Sequence, residues 1–324
     1  MIVSIVTLFG MTARQGLAWG RRKNSGRFVT VGPVETPRVT TCPPLLHSRF
    51  TVSVFCRITL IRCSGRRIVI RRPLCEKRRI ETMNQKQLEE YIALSSIPIR
   101  SIGKNGMPTG FASACIFDYK QKRILITVHH ATGNMENWGI QVKYEPNKGT
   151  AIQSLGPMNF LKLFSIKTNT ARDIDLSHVE IPMDIEPVSQ EIDAKTGSVI
   201  NEKKRLISNI DFNITPDKNE LYGFSGQIVP QLASNSLLIT ELRTYTNLKY
   251  IGDEDDYYVF ELPFEHPGHE YFKGCSGAPI VDTKGNVVAL VCRGDISTNL
   301  IYGISLKKYE VAINATYGEL SKII

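Results

Sequence analysis

Phe272-Lys273-Gly274-Cys275-Ser276-Gly277-Ala278-Pro279-Ile280-Val281 sets a serine between glycines immediately ahead of an apolar run. Glycines at 274 and 277 admit backbone conformations closed to other residues, so the hydroxyl can stand out from a tight turn while nearby N–H groups converge on one point. The same string also fits a glycine-rich hairpin carrying an ordinary serine, because short Gly/Ser patterns recur by chance. The surrounding sequence has to choose between them.

Working outward, short apolar or alternating runs follow one another: Gly110–Phe117, Arg123–Val128, Gly139–Tyr144, Leu176–Ile181, Leu237–Leu242, Tyr257–Leu262, Ala278–Val281, Val287–Cys292 and Ile301–Leu306. Lys104-Asn105-Gly106, Asp118-Tyr119-Lys120, Asp282-Thr283-Lys284-Gly285 and Arg293-Gly294-Asp295 supply turns between them. Helical periodicity is confined to Asn84–Ser95, with Leu88, Tyr91 and Ile92 on one side, and to Lys307–Ile324, with Tyr309, Ala312, Ile313 and Leu320. The pattern predicts an all-β barrel or sandwich. Asp184–Lys218 is polar and aperiodic, and reads as a long connection or insertion between two halves.

Two further features carry chemistry. Ile126-Thr127-Val128-His129-His130-Ala131 is an apolar strand ending in two histidines, a placement that suits a base held at a rigid strand end and equally suits one core and one exposed histidine. Asp173-Ile174-Asp175-Leu176-Ser177-His178-Val179-Glu180-Ile181 puts an acid at a strand start, where it could orient an imidazole or simply serve a turn.

His, Asp and Ser thus occur in that order within one all-β segment, each where a strand meets a loop, and the constellation resembles the chymotrypsin-like serine protease family. Thr127-Val128-His129-His130-Ala131 is similar to that family's Thr-Ala-Ala-His-Cys, and Gly274-Cys275-Ser276-Gly277-Ala278-Pro279 to its Gly-Asp-Ser-Gly-Gly-Pro. Ala289-Leu290-Val291-Cys292-Arg293-Gly294 stands where the family's substrate-pairing strand lies, Tyr302-Gly303-Ile304-Ser305-Leu306 precedes the final helix, and Gly106-Met107-Pro108-Thr109-Gly110-Phe111 resembles the opening of intracellular and bacterial trypsin-like peptidases. The likeness spans Ser96 to Ile324.

The resemblance implies two six-stranded antiparallel β-barrels, about 96–183 and 215–306, with a C-terminal helix over about 307–323. It implies a serine endopeptidase with Ser276 as nucleophile, His130 as base and Asp175 as the orienting acid. Asp173 is the competing acid; starting the family's acid motif there would put charged Asp175 at a small, buried position. The N–H groups of Gly274 and Ser276 become the oxyanion hole, and Cys292, Arg293 and Gly294 pair with substrate. Gly294 and Gly303, as pocket walls, leave room for a large side chain, with Glu270 a candidate at its base. A protein or peptide substrate is expected, with no cofactor and no metal. The alternative is a catalytically silent protease-like domain that binds peptides or a partner protein.

Departures from the family are informative. Cys275 stands where secreted members carry the aspartate that pairs with a newly cut N-terminal amine, and no Ile-Val-Gly-Gly-like start occurs, which argues against that mode of activation. Cys275 beside Ser276 also raises a cysteine nucleophile, but the Gly-x-Ser-Gly register favours the serine.

The chain's formal charge of +9 is gathered at one end. Residues 1–82 hold sixteen Lys and Arg against Glu35, Glu76 and Glu81, leaving a mildly acidic remainder of twenty-four basic and twenty-eight acidic residues. Basic runs interrupt every apolar stretch there, so none reaches membrane-spanning length. Residues 1–82 read as a disordered or dispensable leader, with Met83 a sensible start, as a targeting segment, or as a basic arm; nucleic acid is expected only through that arm. Four of seven cysteines fall in it, and Cys115, Cys275 and Cys292 lack metal-ligand spacing. An odd number of thiols in residues 83–324 fits a reducing, cytoplasmic setting better than a disulfide framework or a structural zinc.

Overall fold

The structure, a computed structural model, describes residues 5–8, 83–104, 106–133, 137–146, 148–165, 169–193, 196–208, 210–234 and 237–318. The leader expected over 1–82 lies outside them apart from Ile5–Leu8, a short strand β1. The chain then runs α1 (Gln85–Ser95), β2 (Ile97–Ile102), β3 (Pro108–Tyr119), β4 (Lys122–Thr127), α2 (His129–Thr132), β5 (Trp138–Glu145), β6 (Gly149–Ser154), β7 (Asn159–Ser165) and β8 (Thr170–Ile181). It continues through β9 (Val188–Ile192), β10 (Val199–Lys204), β11 (Leu221–Ser234), β12 (Leu237–Glu254), β13 (Tyr257–Glu261), β14 (Pro279–Asp282), β15 (Val287–Asp295) and β16 (Leu300–Ser305) to α3 (Glu310–Tyr317).

The all-β expectation holds, and the two halves differ in closure. In the second half the order β12-β11-β14-β15-β16-β13 is joined back on itself by a β12–β13 ladder, giving a closed six-stranded antiparallel barrel. Strand β1 adds antiparallel to the outer part of β12. The first half is a seven-stranded antiparallel sheet, β6-β5-β2-β3-β4-β8-β7, rather than a six-stranded barrel. It curls all the same: Trp138 and Ile140 of β5 share a core with Val179 and Ile181 of β8, although three strands separate them in the sheet.

Between the halves lies a third core, and it explains why the strands read as unbroken apolar runs. On β3, Ala112, Ala114 and Ile116 face the interior of their own sheet while Cys115 and Phe117 face the seam. On β15, Val288, Ala289 and Val291 fill the barrel while Val287, Leu290 and Cys292 fill the seam. A strand covered on both sides has no polar face to alternate.

Two helices close the seam. Asn84 and Gln87 form a reciprocal capping box at the start of α1, which buries Leu88 and Ile92. The buried Arg205 guanidinium receives its far end by donating to the carbonyls of Ala93 (3.1 Å) and Ser96. The closing helix is shorter than the sequence pattern suggested: a 3-10 turn over Lys307–Tyr309 leads into α3, with Ile313 and Tyr317 buried, and Leu320 lies outside the described residues. Residues 184–218, read as a long connection or insertion between the halves, contain the β9–β10 hairpin. No helix among the described residues is long and apolar enough to cross a membrane.

His178 fixes α3 to the sheet through a 2.7 Å hydrogen bond between its Nδ1 and the Tyr317 hydroxyl. Burial pushes its pKa down to about 4. Unfolded histidine binds protons below about pH 6.5 and folded His178 does not, so its contribution to stability is complete above that pH and is lost as pH falls toward 4. The loss is at most about 3 kcal/mol. Thermal melts across pH 7 to 4 are expected to show a steeper fall in Tm for the parent than for His178→Gln.

Candidate active site

Strand β4 ends at Thr127, and the chain turns through Val128 into the single turn of α2, which presents His130. The His130 backbone N–H donates to Asp175 Oδ1 at 2.7 Å, and its Nδ1 lies 2.8 Å from Asp175 Oδ2. A carboxylate can only accept, so Nδ1 carries the proton and Nε2 presents a lone pair. That Nε2 lies 3.0 Å from Ser276 Oγ, in line to accept the hydroxyl proton. Residues 130, 175 and 276 are therefore brought into one hydrogen-bonded chain across the seam.

Asp175 is the better held of the two candidate acids. Its side chain is 18 % exposed, whereas Asp173 is 54 % exposed and paired with Lys162 at 2.8 Å on the sheet's outer face. Burial would raise the Asp175 pKa, but hydrogen bonds from the His130 ring and its backbone N–H, with the charge of the ring, outweigh it and hold the carboxyl below its usual range. Burial and the nearby Asp175 carboxylate push the Cys292 thiol well up, so it stays protonated.

Ser276 sits in a turn that only glycine can build. Gly274 has φ +100° and Gly277 φ +84°, and a side chain at either would strike the other half of the turn's cradle: the Gln227 carbonyl at 274, the Ser113 carbonyl and Thr127 Oγ1 at 277. Within the turn the Cys275 N–H donates to the Phe272 carbonyl and the Gly277 N–H to the Val291 carbonyl. The intervening N–H groups of Gly274 and Ser276 donate to no group among the described residues. Two free, alternating donors beside the serine hydroxyl are what a developing oxyanion requires.

Cys275 is buried with its Sγ where a Gly226 side chain would be, and burial raises its pKa to about 12. Such a thiol has little thiolate to offer as a nucleophile.

Ser113 of β3, which the sequence did not mark, holds the turn from the opposite half. Its N–H donates to the Ser276 carbonyl at 2.8 Å, its hydroxyl to the Gly274 carbonyl at 2.8 Å, and its own carbonyl accepts from Thr127 Oγ1 at 2.7 Å. Thr127 is three residues before His130. One serine therefore ties the turn bearing Ser276 to the strand bearing His130.

Beyond Val291, β15 has β16 on one side, whereas β14 ends its pairing at Leu290 on the other. Among the described residues Cys292, Arg293 and Gly294 consequently present an unpaired strand edge that begins beside the turn bearing Ser276. Arg293 lies over the Tyr257 and Tyr302 rings, at 5.1 and 4.3 Å from their centroids, and pairs with Glu254 at 3.1 Å. Beside Gly294 and Gly303 the described residues pack closely. A side chain at Gly294 would meet His266 Nε2 at 2.5 Å, and one at Gly303 would meet Ile280 and Ala289, so both spaces are filled. Glu270 does not line a base: it is exposed on a 3-10 turn (His269–Phe272), 3.9 Å from Lys273.

A cleft of about 460 Å³ lies behind the site, walled by His129, Trp138, Met158, Phe160 and Ser177. His129 stacks on Phe160 with ring centroids 4.7 Å apart, and its Nδ1 lies 3.2 Å from Ser177 Oγ. Among the described residues no group of His, Cys, Asp and Glu is placed to hold a metal ion.

No protein-family model and no curated protein matches the sequence. Among solved structures, the chain is similar to a serine endoprotease from Yersinia pestis, at 12 % identity over 72 % of this chain and 66 % of that one, with a TM-score of 0.44. It is also similar to GrC, at 10 % identity over 71 % of this chain and 96 % of that one, with a TM-score of 0.45.

Because the turn is held by both packing and polar contacts, the two are separable by stability. Ser113→Ala removes one donor and leaves the Gly274 carbonyl unpaired, which is expected to cost about 1–3 kcal/mol. Gly277→Ala forces a side chain into backbone at positive φ and is expected to cost more. Urea unfolding of both variants orders the two effects.

Proposed function

We propose that the chain is a serine endopeptidase, with Ser276 as nucleophile, His130 as general base and Asp175 as the acid that orients it. The observation that carries this reading is the unbroken relay from Asp175 Oδ2 through His130 to Ser276 Oγ, with links of 2.8 and 3.0 Å. An idle serine has no need of a histidine whose tautomer is fixed by a buried carboxylate.

In the proposed reaction, Ser276 Oγ attacks the scissile carbonyl carbon as its proton passes to His130 Nε2. The carbonyl oxygen becomes an oxyanion between the free N–H groups of Gly274 and Ser276, and the positive imidazolium is stabilised by Asp175. His130 then gives its proton to the departing amine, leaving an acyl group on Ser276. A water deprotonated by His130 attacks that ester, and its collapse returns the hydroxyl to Ser276. The unpaired edge of Cys292–Gly294 supports a peptide as the substrate, since an extended chain laid there would gain strand-type hydrogen bonds along a path leading to the serine. Residues 83–324 form the catalytic domain in this reading. The three buried free thiols, Cys115, Cys275 and Cys292, suit a reducing, cytoplasmic setting.

The test is labelling of the full chain by a fluorophosphonate probe. Parent and Cys275→Ala are expected to label, Ser276→Ala not at all, and His130→Ala and Asp175→Asn to lose about 10⁴-fold in rate. A folded parent that does not label would overturn the endopeptidase reading in favour of a peptide-binding domain.

A further inference from the structure

Ile97 and Ile99 of β2 face the core of their own sheet, so Arg100, the next residue along, faces the seam. Its guanidinium is only 2 % exposed, and its partners there are neutral. One nitrogen donates to Gln227 Oε1 of β11 and another to the Ile99 carbonyl at 3.4 Å, while the group lies 5.2 Å from the Phe111 ring centroid. Among the described residues no carboxylate acts on it. The charge that does is a second buried guanidinium, Arg205, which adds to the positive charge of the seam.

A charge buried without a counter-charge is unfavourable, and exchanging it for an apolar side chain often stabilises a fold. Position 227 is where a counter-charge would go. Glutamate has the shape of glutamine and would bring a carboxylate to the same nitrogen, yet the chain holds an amide there. The charge is thus left uncompensated beside a position that could cancel it.

Its surroundings give that charge a use. The Gln227 main-chain carbonyl packs against Gly274 so closely that no side chain fits between them. Arg100 also pairs with Phe111 of β3, two residues before Ser113 on the same face of that strand, and Ser113 bonds the carbonyls of Gly274 and Ser276. Both paths out of Arg100 end at the turn whose free N–H groups would receive the oxyanion.

Resting on the endopeptidase reading, we infer that Arg100 is a buried electrostatic support of the oxyanion hole: its uncompensated charge stabilises the anion that forms between the Gly274 and Ser276 N–H groups, without touching the substrate. A fixed charge in a water-excluded interior needs no reorganisation when the anion appears. At an effective dielectric of about 20, a unit charge about 10 Å from a developing anion alters the rate by about tenfold.

The experiment follows fluorophosphonate labelling of the full chain over a range of probe concentrations, which separates the maximal rate of bond formation from the affinity of the encounter. Thermal melts accompany it, for the parent, Arg100→Met, Gln227→Glu and Gln227→Leu. Methionine removes the charge, glutamate supplies the missing counter-charge, and leucine removes the hydrogen bond while leaving the charge. Arg100→Met and Gln227→Glu are expected to lose about tenfold in maximal rate, with affinity unchanged and a Tm no lower than the parent's. Gln227→Leu is expected to melt earlier and keep its rate. A merely structural arginine would not slow the reaction while sparing stability. Should Arg100→Met fail to fold, Gln227→Glu alone still decides, because it leaves the guanidinium in place and cancels only its charge. A folded Gln227→Glu protein that labels at the parental rate overturns the inference. So does a Gln227→Leu protein as slow as Gln227→Glu, which would assign the effect to the contact and not to the charge. Failure of the folded parent to label strikes the endopeptidase reading itself.

Discussion

The three polar contacts of Ser113 are what the rest of the site depends on. The catalytic groups proposed here come from two separately cored halves, and apolar packing across a seam sets distance far more loosely than hydrogen bonding does. Ser113 grips the turn at the carbonyls of Gly274 and Ser276, on either side of Cys275, while Thr127 grips Ser113. Using the carbonyls in this way also leaves the N–H groups of 274 and 276 pointing elsewhere. The same contacts thus fix where the serine stands and which face of the turn is free to receive an anion.

A second constraint is electrostatic. Asp175 is kept ionised in a largely buried position by the His130 ring and by the His130 backbone N–H. The opposite arrangement occurs at Arg100, a fully buried guanidinium on β2 that hydrogen-bonds Gln227 of β11 and lies 5.2 Å over the Phe111 ring. Burial lowers its pKa to about 9. Gln227 is the residue whose carbonyl crowds Gly274, so this cation sits behind the turn as a support, bridging the halves with neutral partners on both sides.

How much was legible in the sequence followed from how each residue does its work. The nine strands read from apolar runs are all present, and those that line the seam, such as β3 and β15, are buried on both faces. The missed strands hide for stated reasons: Ile97–Ile102 is interrupted by Pro98 and Arg100, Leu221–Ser234 by Gly223, Gly226 and Pro230, and Val188–Ile192 and Val199–Lys204 are polar. Asn159–Ser165 is apolar but exposes Phe160, Leu163 and Phe164. At the site, His130, Asp175 and Ser276 carried local signatures and are brought together. Ser113 carried none, since its role arises from the register of β3 against a turn more than 140 residues away, and Thr127 was read as part of the histidine motif without its bond to Ser113. His266 carried no mark in the sequence, and its place beside Gly294 emerges from the barrel's closure. Gly294 and Gly303 show in the sequence where a side chain is absent, but not that His266, Ile280 and Ala289 lie against them.

The burial of Cys275 has a consequence for timing. Its sulfur rests in the hollow left by Gly226, so the turn is anchored by shape complementarity rather than by a charge that must find its counter-charge. A turn anchored in this way takes its shape from the packing around it, and so it forms when the barrel core forms.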